Sequence, residues 1–183
     1  IPMLVSLYYG ESMTSFLITS GILLALSYLL TRKKADNKDI YAKEGFVIVA
    51  LTWVAWSAFG ALPFYISGSI PSYIDALFET ISGFTTTGST ILEDIESLSQ
   101  GMLFWRSLTH WLGGMGVLVF VLAIMPLSSG RAVYLIRAEM PGPTVGKLEP
   151  KIQSTAKVLY GMYIVLTGIQ IVFLLMGGMG LFD

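Results

Sequence analysis

Residues 83–90 read Gly83-Phe84-Thr85-Thr86-Thr87-Gly88-Ser89-Thr90, a glycine-bounded run of hydroxyls between an apolar segment and an acidic loop without Lys or Arg. Such a run has no use as core, because it is nearly all hydroxyl and backbone. Threonine hydroxyls and exposed carbonyls are hard oxygen donors, and glycine permits the backbone angles that turn successive carbonyls toward one axis. That is chemistry for stripping water from a metal cation. Other chemistries find little support. There is no cysteine, so thiolate metal sites, disulfides and cysteine nucleophiles are excluded. His110 has no Cys, Asp or Glu at ligand spacing, and no serine, histidine and carboxylate grouping suggests nucleophilic catalysis. Gly142 to Lys147 superficially resembles a phosphate loop, but it is one residue short and Leu148 stands where Ser or Thr is required.

The elements that must position this run are membrane helices. The chain is 54% hydrophobic and 13% charged, with a mean hydropathy of +0.72. That composition lies outside the soluble globular class. Four segments, residues 13–30, 45–66, 102–125 and 158–176, approach or exceed the roughly 20 apolar residues that span a bilayer. The first is not a signal peptide, since Arg32, Lys33 and Lys34 follow it where a cleavage site would lie.

All the Lys and Arg residues except Arg106 fall in two loops. One holds Arg32, Lys33, Lys34, Lys38 and Lys43; the other holds Arg131, Arg137, Lys147, Lys151 and Lys157. The positive-inside rule makes loops 31–44 and 127–157 cytoplasmic, and four spans then alternate without contradiction. The opposite face carries Glu11, Asp75, Glu79, Glu93, Asp94, Glu96 and Asp183. These are either a solvated surface or a field that concentrates cations at a pore mouth.

Residues 67–101 do not read as an ordinary outer loop. Ser72 is an N-cap with Asp75 three positions on, and an apolar pattern runs from Tyr73 to Phe84. Twelve residues make a helix of about 18 Å, which reaches about halfway into the hydrocarbon. The chain must turn back there, and non-helical backbone at that depth survives only beside protein or water. The partial negative charge of the helix C-terminus then points to where a dehydrated cation would sit. An interfacial amphipathic helix followed by a surface Ser/Thr turn is the competing reading.

Glu79 opposes the dipole rule, so it either pairs with a neighbouring segment or faces a vestibule. Arg106 either anchors a carboxylate such as Glu79 or Asp75 or snorkels to the interface. Trp105 and Trp111 sit where an outer aromatic belt would lie, and Gly113, Gly114 and Gly116 suit close helix packing.

Phe78-Glu79-Thr80-Ile81-Ser82-Gly83 through Thr90 resembles the first pore loop of the TrkH/TrkG/KtrB superfamily of microbial potassium transporters. The likeness continues in Phe104-Trp105-Arg106 through Trp111-Leu112-Gly113-Gly114-Met115-Gly116, in Arg137 to Pro143, and in Pro150-Lys151-Ile152 with Thr155-Ala156-Lys157. The resemblance implies an all-α polytopic membrane protein. Its fold would have four repeats of outer helix, re-entrant pore half-helix with filter loop, and inner helix, set about a pseudo-fourfold axis. On that plan 1–44 is an extra N-terminal membrane helix with its cytoplasmic loop, incomplete and of the TrkH branch. Residues 45–126 are the first repeat, with outer helix 45–66, pore half-helix 73–84, filter 85–89 and inner helix 102–125. Residues 127–157 are a linker, and 158–183 begin a second repeat. The chain is expected to be an N-terminal fragment.

The resemblance further implies potassium uptake across the bacterial inner membrane, with carbonyls and hydroxyls of Thr85, Thr86, Thr87 and Gly88 coordinating the ion and Ser89 at the outer lip. It implies no cofactor beyond the transported potassium, contact with membrane lipid, a cytosolic nucleotide-binding partner of the TrkA type, and a homodimer of full-length pore subunits. No nucleic-acid partner and no enzymatic activity are expected. Passive and proton- or sodium-coupled flux both stay open. The alternative is a polytopic membrane protein of another class, an intramembrane enzyme or assembly subunit, whose threonine loop is structural. Glu79, Arg106 and His110 would be a poor catalytic set for it.

Overall fold

The computed structural model describes residues 1–32, 42–116 and 151–180, which form seven helices and no strand. They are α1 (Pro2–Tyr8), α2 (Thr14–Thr31), α3 (Ala42–Gly60), α4 (Leu62–Ser67), α5 (Tyr73–Phe84), α6 (Gln100–Gly114) and α7 (Lys151–Met176). Most of the two basic loops, and residues 117–125 of the expected inner helix, lie outside the described residues.

Among the described residues, three stretches are long and apolar enough to cross a membrane: Thr14–Thr31, Phe46–Ser67 and Lys157–Met176. The second contains α3 and α4. Pro63 lies within it and has no N–H to give, so the regular ladder is interrupted near Ala61. The helical path still continues, because the Ala61 and Tyr65 amides donate to the Ser57 and Ala61 carbonyls. At the interruption the Trp105 indole N–H reaches the Gly60 carbonyl at 2.9 Å.

α5 is helical over the expected twelve residues, Tyr73–Phe84. Ser72 is its N-cap, extended at φ −91° and ψ 124°, and its hydroxyl accepts from the Asp75 amide. The face of α5 turned to the protein carries Ala76, Glu79, Thr80 and Gly83, all buried. Those positions follow the i, i+3, i+4, i+7 rule with small and polar side chains. Ile74, Phe78 and Ile81 occupy the other face and are exposed among the described residues.

The buried apolar residues gather where α2, α4, α5 and α6 meet, around Phe16, Phe64, Ile70, Ala76 and Met102. A second knot forms where Trp53 and Trp56 of α3 meet Phe84 edge-on, with ring centroids 6.5 and 5.8 Å away. Trp105 and Trp111, placed in an aromatic belt by the sequence, also join helices: Trp105 stacks edge-on against Phe16. Trp111 packs on Tyr160 and Tyr163 of α7 and its indole donates to Thr167.

α6 begins at Gln100 and its helix ends at Gly114. Gly116 then takes the left-handed φ of +73°, and its amide turns back to the Gly113 carbonyl. Among the described residues the helix expected over 102–125 thus ends at Gly114. Gly113 and Gly83 lie where α5 and α6 approach most closely. A Cβ on Gly113 would collide with the backbone carbonyl of Phe84, and one on Gly83 with the Thr109 side chain. α5 and α6 can therefore approach only because both positions lack a side chain.

By contrast, a Cβ on Gly161 or Gly168 of α7 meets nothing within 4 Å. Gly113→Ala should lower stability by about 1–3 kcal/mol through the forced shift of backbone. Gly168→Ala should leave it unchanged or raise it by about 0.5–1 kcal/mol. Thermal unfolding of the purified variants in detergent checks the contrast, and equal midpoints would refute the close approach.

Candidate functional site

The threonine run leaves the C-terminal end of α5 and folds back against it. The amides of Thr85, Thr86 and Thr87 donate to the carbonyls of Ile81, Gly83 and Ser82 at 2.8, 2.9 and 2.9 Å, and the Gly88 amide makes a longer contact to Ser82 at 3.5 Å. The last carbonyls of a helix have no partner within it, and here the loop supplies the donors. One consequence is that the N–H groups of the loop are spent inward. Among the described residues no donor meets the carbonyl oxygens of Thr85, Thr86, Thr87 or Gly88, and all four residues are exposed.

The backbone angles are unusual in the same place. Thr86 has φ +54° and Gly88 φ +76°, with Thr85 before them at φ −81°. Changes in the sign of φ break the side-to-side alternation of carbonyls in an extended chain and turn neighbouring ones the same way. A β-branched residue at positive φ is strained. Thr86 is held there by its amide bond to Gly83.

Hydroxyl polarity follows from counting hydrogens. The Thr85 hydroxyl donates to the Ile81 carbonyl at 2.8 Å and lies 2.8 Å from the Thr87 hydroxyl. With its single hydrogen committed to Ile81, it accepts from Thr87. Both hydroxyls therefore turn lone pairs, not hydrogens, outward. Ser89 differs from the four residues before it. Its carbonyl accepts a 2.5 Å bond from the Ser82 hydroxyl, which ties the outgoing leg of the loop to the helix.

The returning leg is held by Glu79. One carboxylate oxygen takes the Arg106 Nε–H at 2.6 Å. The other accepts from the Thr90 hydroxyl at 2.9 Å and the Ile91 amide at 3.1 Å. The Glu79 side chain is wholly buried and that of Arg106 is 16% exposed. Of the two roles open to each residue, the pairing of Glu79 with Arg106 is the one found. His110 stays within its own helix, where its Nδ1 lies 3.0 Å from the Arg106 carbonyl, and no three metal-ligating side chains cluster among the described residues.

Two supports of the loop were not singled out in the sequence. Ser82 stands only within the stretch that carries the family resemblance and Thr90 only at the end of the hydroxyl-rich run, and those are the signals that could have drawn attention to them. Glu93, Asp94 and Glu96 are exposed, as expected of a solvated acidic face.

The family model for TrkH, described as "Cation transport protein", matches residues 12–179. The chain belongs to the TrkH family. The Trk system potassium uptake protein TrkH of Escherichia coli (strain K12) is 41% identical to it across the whole chain, which covers 39% of that relative. The Trk system potassium uptake protein TrkG of the same organism is 36% identical, with 38% of its length covered. TrkH of Halomonas elongata is 38% identical over 39% of its own length. This TrkH-family chain thus spans about two-fifths of the curated relatives it matches. No solved structure matches it.

Within this TrkH-family chain the Glu79–Arg106 pair should behave as a unit. Arg106→Ala leaves a buried carboxylate without its counter-charge and should cost about 3–5 kcal/mol. Glu79→Gln in that background removes the stranded charge and should recover part of the loss. A double-mutant cycle on thermal unfolding gives the coupling; purely additive losses would show that the two groups are not coupled in the folded protein.

Proposed function

We propose that the protein takes up potassium as the pore-forming subunit of a Trk-type system. In this reading the loop of Thr85, Thr86, Thr87 and Gly88 forms one wall of the selectivity filter. A single observation carries it: an exposed four-residue loop with its amides spent on the helix behind it and, among the described residues, no donor to its four carbonyls. Such a surface is rich in acceptors, which suits a dehydrated cation. Family membership supports the same reading, as do the names of the relatives.

One loop supplies only part of the ring of oxygens around an ion. The full-length protein is therefore read as four repeats about a pseudo-fourfold axis. The exposed apolar face of α5, with Ile74, Phe78 and Ile81, is a surface on which a neighbouring repeat would pack. The positive-inside count places the loop on the outer side of the inner membrane and both basic loops in the cytoplasm. A TrkA-type nucleotide-binding subunit and a second pore subunit complete the system in this reading, on the ground of family membership.

The test is potassium uptake by the full-length protein in cells stripped of their own uptake systems. Restored growth at low potassium is expected; correctly inserted protein that restores none would sink the reading. Gly88 is the sharpest residue-level probe. Space around its missing Cβ is open, so substitution acts through φ alone, at about 1–2 kcal/mol for a side chain held at a left-handed angle. Gly88→Ser should lower the ratio of rubidium to sodium flux at unchanged protein level. A ratio equal to that of the unaltered protein would remove Gly88 from the filter.

A further inference from the structure

Glu11, read from the sequence as one acid of a solvated face, is bonded across the fold. Its two carboxylate oxygens accept the backbone N–H groups of Gln100 at 2.7 Å and Gly101 at 2.9 Å, the first two residues of α6. The residue at the N-cap itself, Ser99, makes no side-chain cap bond. The open end of α6 is thus closed by a carboxylate from about ninety positions earlier. Negative charge at a helix N-terminus is favoured by the helix dipole, and both bonds are charge-assisted.

Glu11 is also held firmly from its own side. Gly10 turns the chain at φ +70°, and the Glu11 amide returns to the Ser6 carbonyl at 2.8 Å. α1 packs along α6. Ser6 is buried where a side chain on Gly101 would otherwise lie.

From Gly101 to Arg106 is five residues, about 7.5 Å of rise along one rigid helix. Arg106 in turn fixes Glu79, and Glu79 fixes Thr90 and Ile91 on the returning leg of the loop. A continuous line of contacts therefore joins Glu11 to the loop, although no residue of α1 is among the bonded partners of the loop. We propose that Glu11 is a positioning residue for the ion pathway: by fixing the axial place of α6 it sets Arg106 opposite Glu79 and so holds the shape of the loop. The flux half of this proposal rests on the potassium reading; the structural half does not.

Both halves are measured in the full-length protein with Glu11→Ala and with the nearly isosteric Glu11→Gln. Hydrogen exchange is followed at Gln100 and Gly101 and at Ile91, whose amide is bonded to Glu79. Rubidium and sodium uptake are measured alongside. Loss of the cap should quicken exchange at Ile91 as well as at α6, and lower the rubidium-to-sodium ratio, each by about threefold or more. Glu11→Gln keeps one acceptor and should move both readouts the same way by less. Faster exchange confined to Gln100 and Gly101, with Ile91 and the flux ratio unchanged, makes Glu11 a local cap and overturns the proposal. An unaltered protein that carries no rubidium sinks the potassium reading, while exchange at Ile91 still decides this one.

Discussion

The buried carboxylate of Glu79 organises the packing of α5, α6 and the threonine loop. Desolvating a charge costs several kcal/mol even after relaxation, and the cost is offset only when its hydrogen-bonding capacity is well met. Glu79 meets it with donors from two separate elements, Arg106 on α6 and the Thr90–Ile91 leg of the loop. Neither element can move away without stranding the charge. The carboxylate thereby converts three separate stretches of chain into one arrangement. In a bilayer this matters more than packing area, because lipid tails are as apolar as the helices and do little to choose between helix–helix arrangements.

The second constraint is distance between backbones. Gly83 and Gly113 let α5 and α6 approach until the Phe84 carbonyl fills the space a side chain would take. At that separation Glu79 and Arg106 come within ion-pair reach. The loop then satisfies the end of α5 with its own amides. This is the step that gives the threonine run its character. A helix end needs donors, the loop gives up the amides of Thr85 to Gly88, and the carbonyls of those residues are left to accept. Oxygen-rich composition by itself does not guarantee that outcome, since the same hydroxyls and carbonyls could have paired with each other.

Much of this was legible in the residues. α5 was bounded correctly by an N-cap serine and a twelve-residue apolar pattern, both local signals; length and hydropathy located α2 and α7, but α7 begins at Lys151, seven residues before the expected span. The inner helix was less so. Gly113, Gly114 and Gly116 all read as packing glycines, yet Gly116 takes a left-handed angle and helps end α6 at Gly114. Pro63 was absorbed into an apolar run that passed every test for one unbroken span. Trp105 and Trp111 matched an aromatic belt by position, but their indoles found partners on α3 and α7. In each instance the local pattern was right and the partner was remote.

Glu11 shows the limit most clearly. Its short local context says only that an acid lies at the edge of an apolar segment, and no periodicity or spacing relates it to Gln100 and Gly101. The sequence alone determined the membrane class, the short helix α5 with its cap, the oxygen-rich loop and the family likeness, because these depend on composition and on neighbours a few residues apart. Tertiary structure alone decided which carboxylate is buried, which is a helix cap, and which carbonyls are left without donors. Those outcomes depend on pairing between groups distant in the chain, and an unpaired charge or amide costs the same wherever its eventual partner is encoded.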